Sequence, residues 1–277
     1  MTADLPPGTR PPHRQPQPVR PPLPTDVLLI SAQRTSTALL LAEAAGRRGL
    51  VTRVLDGPPE TVVREGEAPH WYGGPLLADR IAGRLGLGLL EPSGGWLAEL
   101  PEEFTGRRVS LTTLGAARRE LARPAFVKPP VDKSFAPAVY EDGGRLPLDL
   151  PGDTPVLVSE PVTFASEYRL FVLDGQVVTG GRYLSYGLLD PGPPAPDALR
   201  FGADLLAAAG GSLPSAVVVD VGLTEEAGWA VVEANMAWFA HCYAADPSAV
   251  LDVVLRAAGP LGRVGERDRS FLRVGSG

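Results

Sequence analysis

The apolar pattern opens at DVLLIS, residues 26–31, a short run of apolar positions bounded by polar ones that predicts a buried parallel strand. TSTALLLAEAAGRRG, residues 35–49, follows with Thr35 and Ser36 as capping oxygens, a Leu- and Ala-rich middle, and Arg47, Arg48 and Gly49 at its close, which predicts a helix. VTRVLD then reads as the next strand, so residues 26–56 form a βαβ unit. PLLADRIAGRLG, entered through Pro75, predicts a second helix, and LGLLEP another strand or a strand end. GWLAELPEEFTGRR, residues 95–108, reads as a surface connection, and SLTTLGAARRELA, residues 110–122, as a helix running up to Pro124.

From Ala125 the texture changes. AFVKP, PVLVSE, EYRLFVL, QVVTGGRYLS, SAVVVDVGL and WAVVEAN are strand-like, with turns such as LDGQ between them, and only PDALRFGADLLAAAG and SAVLDVVLRAAG interrupt as helices. Alternating helices and strands followed by a mostly antiparallel sheet region imply a mixed α/β chain of the α+β kind. It has two lobes that meet between about residues 100 and 125, with a ligand cleft between them. YGLLDPGPPAP, residues 186–196, reads as a mobile lid or as a plain surface loop.

Composition narrows the function classes. A length of 277 residues with 44% hydrophobic content buries a sizeable core, while nine prolines in the first 24 residues mark a tail that takes no part in it. A net charge of −6 argues against a broad electrostatic grip on nucleic acid or anionic membrane. No apolar run reaches the length of a membrane span and no secretory layout opens the chain, so the cytoplasm is the expected location. The single Cys242 reads as a packing residue, and His13, His70 and His241 join no nucleophile arrangement. SAQRTST, between the first strand and helix, has no glycine, so the dinucleotide-binding fingerprint is missing.

Charge placement carries more information than charge total. The only two lysines, Lys128 and Lys133, fall within FVKPPVDKSF, although arginine supplies the other 24 of 26 basic residues. A compact ammonium suits phosphate, and Pro129 and Pro130 stiffen the exit of the strand that carries Lys128; two solvated lysines is the plainer alternative. In VVVDVGLTEEAGWAVVEAN, one acidic residue interrupts each of two apolar strands, Asp220 and Glu233, and adjacent antiparallel strands bring them side by side. With Asn235 two residues beyond Glu233 they supply hard oxygen ligands suited to Mg²⁺, although two exposed carboxylates on an open sheet face fit the spacing equally. Arg169 and Arg182 lie on consecutive strand candidates and could converge on an anion, or serve as ordinary sheet-face charges paired to Glu167 and other acids. The segment holding Glu160, Pro161 and Val162 could offer backbone groups to the edge of a base.

Taken in order, FVKP, SEPV, EYRLFV with LDG, GGRY, VVVDVG and VVEAN resemble the ATP-grasp superfamily, and within it the clade marked by two arginines and a lysine. The resemblance covers about residues 72–258 and implies the ATP-grasp fold, with an N-terminal pre-ATP-grasp lobe and ATP in a cleft between subdomains. It implies a division into a tail at 1–24, the first lobe at 25–105, an ATP-grasp domain at 106–262 and a C-terminal tail at 263–277. By the same resemblance Lys128 holds the α- and β-phosphates, Glu160 and Val162 line the adenine site, and Glu167 meets the ribose. Asp220, Glu233 and Asn235 bind Mg²⁺, while Arg169, Arg182 and Lys133 face the γ-phosphate and the substrate carboxylate. The implied activity is an ATP-dependent ligase joining a small-molecule or peptide carboxylate to an amine through an acyl phosphate, with a homodimer allowed and no nucleic acid or membrane involved. A nucleotide-binding module without ligation and a phosphotransferase using the same cleft are the alternatives. The usual glycine-rich phosphate loop is replaced by PPVDKSFAP.

Overall fold

The computed structural model describes residues 25–130, 134–226 and 228–274; the proline-rich stretch 1–24 and Lys133 lie outside the described residues. The first lobe runs β1 (Thr25–Ser31), α1 (Ser36–Arg47), β2 (Val51–Leu55), α2 (Pro59–Val62), β3 (Glu67–Tyr72), α3 (Pro75–Leu85) and β4 (Leu87–Leu89). The strands β1, β2 and β3 form a parallel sheet in the order β2-β1-β3. The Thr35 side chain caps α1 by accepting from Ala38 N, and Gly86 ends α3 at a φ of 61°, a left-handed conformation that glycine adopts without strain.

Two short helices, α4 (Trp96–Glu99) and α5 (Glu102–Thr105), lead into a four-stranded antiparallel sheet built from β5 (Val109–Thr113), α6 (Leu114–Glu120), β6 (Ala125–Lys128), β7 (Ala138–Tyr140) and β8 (Pro155–Ser159), in the order β5-β8-β6-β7. This sheet rests on its own small core of Leu114, Val127, Phe135, Leu146 and Val156. A second antiparallel sheet follows: β9 (Phe164–Leu173), β10 (Gln176–Ser185), β11 (Leu188–Gly192), α7 (Pro196–Ala209), β12 (Ala216–Thr224) and β13 (Gly228–Asn235), in the order β11-β10-β9-β12-β13. Asp174 and Gly175, with φ of 49° and 79°, make the tight β9–β10 turn that two-residue hairpins require.

Strand alternation gives this second sheet two packed faces. Leu170, Val172, Val217 and Val219 pack with Leu205 and Leu206 of α7. Phe171 and Val218 join the core of the first lobe, together with Val250, Leu251 and Val254 of α8 (Pro247–Ala257), which lies beside Leu41 and Ala44 of α1. The chain then returns to its start: β14 (Ala258–Pro260) pairs with β4, Leu90 bridges Leu272, and Arg273 binds both Asp79 and Glu91 at 2.7 Å. Residues 263–274, expected as a tail, bond to the first lobe through Arg263 and Arg273 and to residues 210–215 through Arg267 and Asp268.

Three expectations need correction. Residues 109–113 form a strand, because β-branched Val109, Thr112 and Thr113 register with residues 155–159, and the helix starts only at Leu114. Residues 95–108 are no surface connection: Trp96 and Leu97 are buried, Trp96 Nε1 donates to Ser212 Oγ at 2.9 Å, and buried Arg107 donates to the Thr105 and Val231 carbonyls. Residues 188–192 form an edge strand on β10 rather than a lid, and Pro191 is tolerated there because an edge leaves some amides without ladder partners. Among the described residues no helix is long and apolar enough to cross a membrane.

Candidate active site

The two acidic interruptions meet as strand pairing requires. Asp220 on β12 lies opposite Glu233 on β13, and Val218 opposite Asn235. Asn235 Nδ2 donates to Glu233 Oε1 at 2.8 Å and to Asp220 Oδ2 at 3.3 Å. From the other sheet, Lys128 at the end of β6 reaches across, and its Nζ donates to Glu233 Oε2 at 2.7 Å. On β9, Arg169 Nε and Nη2 make a fork to Asp220, at 2.9 and 2.7 Å. Two carboxylates are thus matched by two cations, the condition for holding charges in a largely dry site.

Burial and charge pull these groups in different directions. Asp220 is fully buried, which raises its pKa despite the Arg169 fork. Burial also works to raise Glu233, but Lys128 and Asn235 outweigh it and hold the carboxyl below its usual range. Glu167 is raised by burial, with Asp220 and Glu233 repelling its charge, while Tyr183 Oη donates to it at 2.7 Å. Tyr183 in turn is held neutral by its burial and by the Asp220 and Glu167 charges. The Arg169 guanidinium lies 5.3 Å from the Tyr183 ring and 5.2 Å from that of Tyr243, so its faces meet aromatic surface while its edge meets Asp220.

Other predicted residues stand apart. Arg182 pairs in register with Tyr168, not with Arg169, which sets the two arginines on opposite faces of the sheet; it binds Asp190 at 3.0 Å. The expected convergence of the two guanidiniums does not occur, and Tyr183 takes the site-facing position. Glu160 accepts from Arg108 N at 3.1 Å and lines a separate hollow of about 410 Å³ with Ser110 and Arg123. Val162 is half-buried in the link between β8 and β9.

Sequence reasoning missed one wall of the site. Ser93, Gly94, Trp96 and Leu97 line a hollow of about 210 Å³ together with Lys128, Pro129, Leu157, Glu233 and Asn235. The glycine pair in PSGGW was the available signal, but nothing local in the chain ties it to Lys128. A larger hollow, about 690 Å³, opens elsewhere, between His70, Arg256 and Asp268, and contains none of the predicted site residues.

The donor set fits a small hard cation. Glu233 already holds one positive group, the Lys128 ammonium, and a half-turn of the Asn235 amide exchanges its donor for an acceptor oxygen. Asp220, Glu233 and Asn235 are the residues that would hold Mg²⁺. Among the described residues no group of three or more His, Cys, Asp or Glu is arranged for a metal, so the fit rests on two carboxylates and an amide.

Known proteins share the fold. No curated protein matches the chain. Among solved structures, the D-cycloserine synthetase DcsG superposes with a TM-score of 0.54 at 15% identity, covering 83% of this chain and 98% of its own. The ATP-grasp ligase PsnB, solved with a minimal precursor, superposes with a TM-score of 0.51 at 15% identity, covering 85% of this chain and 100% of its own. Residues 104–253, more than half of the chain, match the model of an ATP-grasp domain, the second family of the clade marked by two arginines and a lysine. With that match laid over paired sheets, an ammonium facing two carboxylates and an amide, and a first lobe of βαβ build, the chain belongs to that clade of the ATP-grasp superfamily.

Proposed function

We propose that the protein is an ATP-dependent carboxylate–amine ligase, with residues 25–105 as its first lobe and residues 106–262 as its ATP-grasp unit. The observation that carries this reading is the Lys128–Glu233 contact of 2.7 Å across the space between two sheets, with Asn235 and Asp220 adjoining. A site that holds a lysine against carboxylates in a hollow is ready to exchange that ion pair for a metal-bound triphosphate.

Strand register supports the orientation of the nucleotide that the resemblance implies. The link carrying Glu160 and Val162 enters β9 beside Thr224, whereas Asn235 lies opposite Val218, and Thr224 to Val218 spans about 20 Å at roughly 3.3 Å per residue. Adenine at the link and phosphates toward Asn235 fill that distance with an extended nucleoside triphosphate. Lys128 then moves from Glu233 to phosphate oxygens, and Glu167 meets the ribose. Mg²⁺, when bound, offsets charge on the phosphate oxygens.

Chemistry follows from placement rather than from a protein nucleophile. A substrate carboxylate oxygen attacks the γ-phosphorus, the bond from that phosphorus to ADP breaks, and an acyl phosphate forms. An amine nitrogen then attacks the acyl carbon, inorganic phosphate leaves, and the nitrogen loses a proton to give the amide. Arg169 opposes the burial that raises Asp220 and keeps its carboxyl aimed by a two-bond fork. With ATP, Mg²⁺ and mixed carboxylates and amines, the protein should release ADP and phosphate, and positional isotope exchange in ATP should depend on the carboxylate. Intact ATP binding without either signal across a broad panel would leave only a nucleotide-binding module.

A further inference from the structure

The sequence lacks a glycine-rich loop where ATP-grasp phosphate loops stand, yet a glycine-rich turn from a distant part of the chain faces the same hollow. Ser93 and Gly94 share that hollow with Lys128, Glu233 and Asn235. We propose that the Ser93–Gly94 turn binds the terminal phosphoryl group of the nucleotide, an inference that rests on the orientation given above.

Position is the first argument. Asn235 is the site residue farthest along the strands from the Glu160–Val162 link, and the turn lines the same hollow as Asn235 and Lys128. Adenine at the link therefore leaves the last phosphate, not the first, beside Ser93.

Donor accounting is the second. Ser93 Oγ accepts from Gly95 N at 3.3 Å, which leaves its own proton to donate, and the Gly94 amide has no acceptor among the described residues. Glu233 engages Lys128 and Asn235, and Asn235 also donates to Asp220, so an anion entering the hollow finds these two donors open beside the ammonium. Burial fixes the turn. Trp96 is buried and tied to Ser212, Trp96 N donates to Ser93 O at 3.1 Å, and Gly95 is buried, so the donors hold their place without a ligand. Arg182 lies on the face of its sheet away from Arg169, which leaves the terminal phosphate in need of donors from another element.

The test compares binding of Mg²⁺ with a non-hydrolysable ATP analogue and of Mg²⁺ with ADP, by calorimetry, for the wild type, Ser93→Ala and Ser93→Asp. Ser93 is exposed, so both variants should keep the wild-type melting temperature. The expected result is a loss of roughly tenfold or more in affinity for the triphosphate analogue in Ser93→Asp, about threefold in Ser93→Ala, and ADP affinity within about twofold in both. Equal losses for both nucleotides, or no loss for either, would overturn the assignment while the ligase reading stands. A wild type that binds neither nucleotide overturns the ligase reading itself.

Discussion

Asp220 and Glu233 face each other across one strand pair, but their surroundings give their loss different consequences. Glu233 keeps 38% of its side chain exposed, so Glu233→Gln should lower turnover at least roughly 100-fold and cost about 1 kcal/mol of stability or less. Asp220 has no exposed side chain and carries the Arg169 fork, so Asp220→Asn strands a buried guanidinium and should cost about 3 kcal/mol as well as activity. Urea unfolding beside the ADP-release assay separates the two; equal stability in both variants would contradict the buried pair. Asp220 and Glu233 were legible because each interrupts an apolar strand, Asn235 because it follows Glu233 by two residues, and Lys128 because lysine is rare in this chain and stands here at a strand end. The sequence hid the Arg169–Asp220 pair, since that contact exists only because β9 inserts between β10 and β12. Arg182 misled for a related reason: facing depends on register, and the β9–β10 register slips between Val177 and Thr179, which sets Arg182 opposite Tyr168.

Elements with their own periodicity were legible, and those defined by a distant partner were not. Strands β9, β10, β12 and β13 carry enough alternating positions to declare themselves, as does α1 with its Thr35 cap. β5 has only five residues, three of them exposed, and is a strand because β8 pairs with it. β11 hides behind Pro191 and Gly192. In the first sheet, Glu67 at the start of β3 forks with Arg53 on β2, which depresses the carboxyl to about 2, the Arg53 hydrogen bond being the main cause. A depressed carboxyl contributes stability that is complete above the ordinary value of 4.5 and is lost as pH falls from there through about 2. Unfolding free energies of the wild type and Glu67→Gln from denaturant titrations should therefore differ by roughly 1 kcal/mol at neutral pH, after discounting for solvent screening, and converge near the acid end. A constant gap over that range would remove Glu67 from the account.

At the scale of the whole molecule, three cores among the described residues divide the work. The largest joins the first lobe to α8 and to one face of the five-stranded sheet, which fixes Asp220, Glu233 and Asn235 against a broad base. The second fills the other face of that sheet under α7 and takes in Trp96, so the turn at Ser93 is anchored to the same body. The four-stranded sheet keeps a small core of its own, joins the second core through Leu157 and Val109, and carries Lys128, which places the cationic partner of Glu233 on the lesser unit. The structure of the protein with Mg²⁺ and a non-hydrolysable ATP analogue tests this arrangement most directly. The account predicts the triphosphate between the two sheets, Lys128 transferred from Glu233 to a phosphate oxygen, and a metal about 2.1 Å from oxygens of Glu233 and Asn235. A nucleotide seated elsewhere, such as the hollow between His70 and Asp268, with the Lys128–Glu233 pair unbroken, would contradict it.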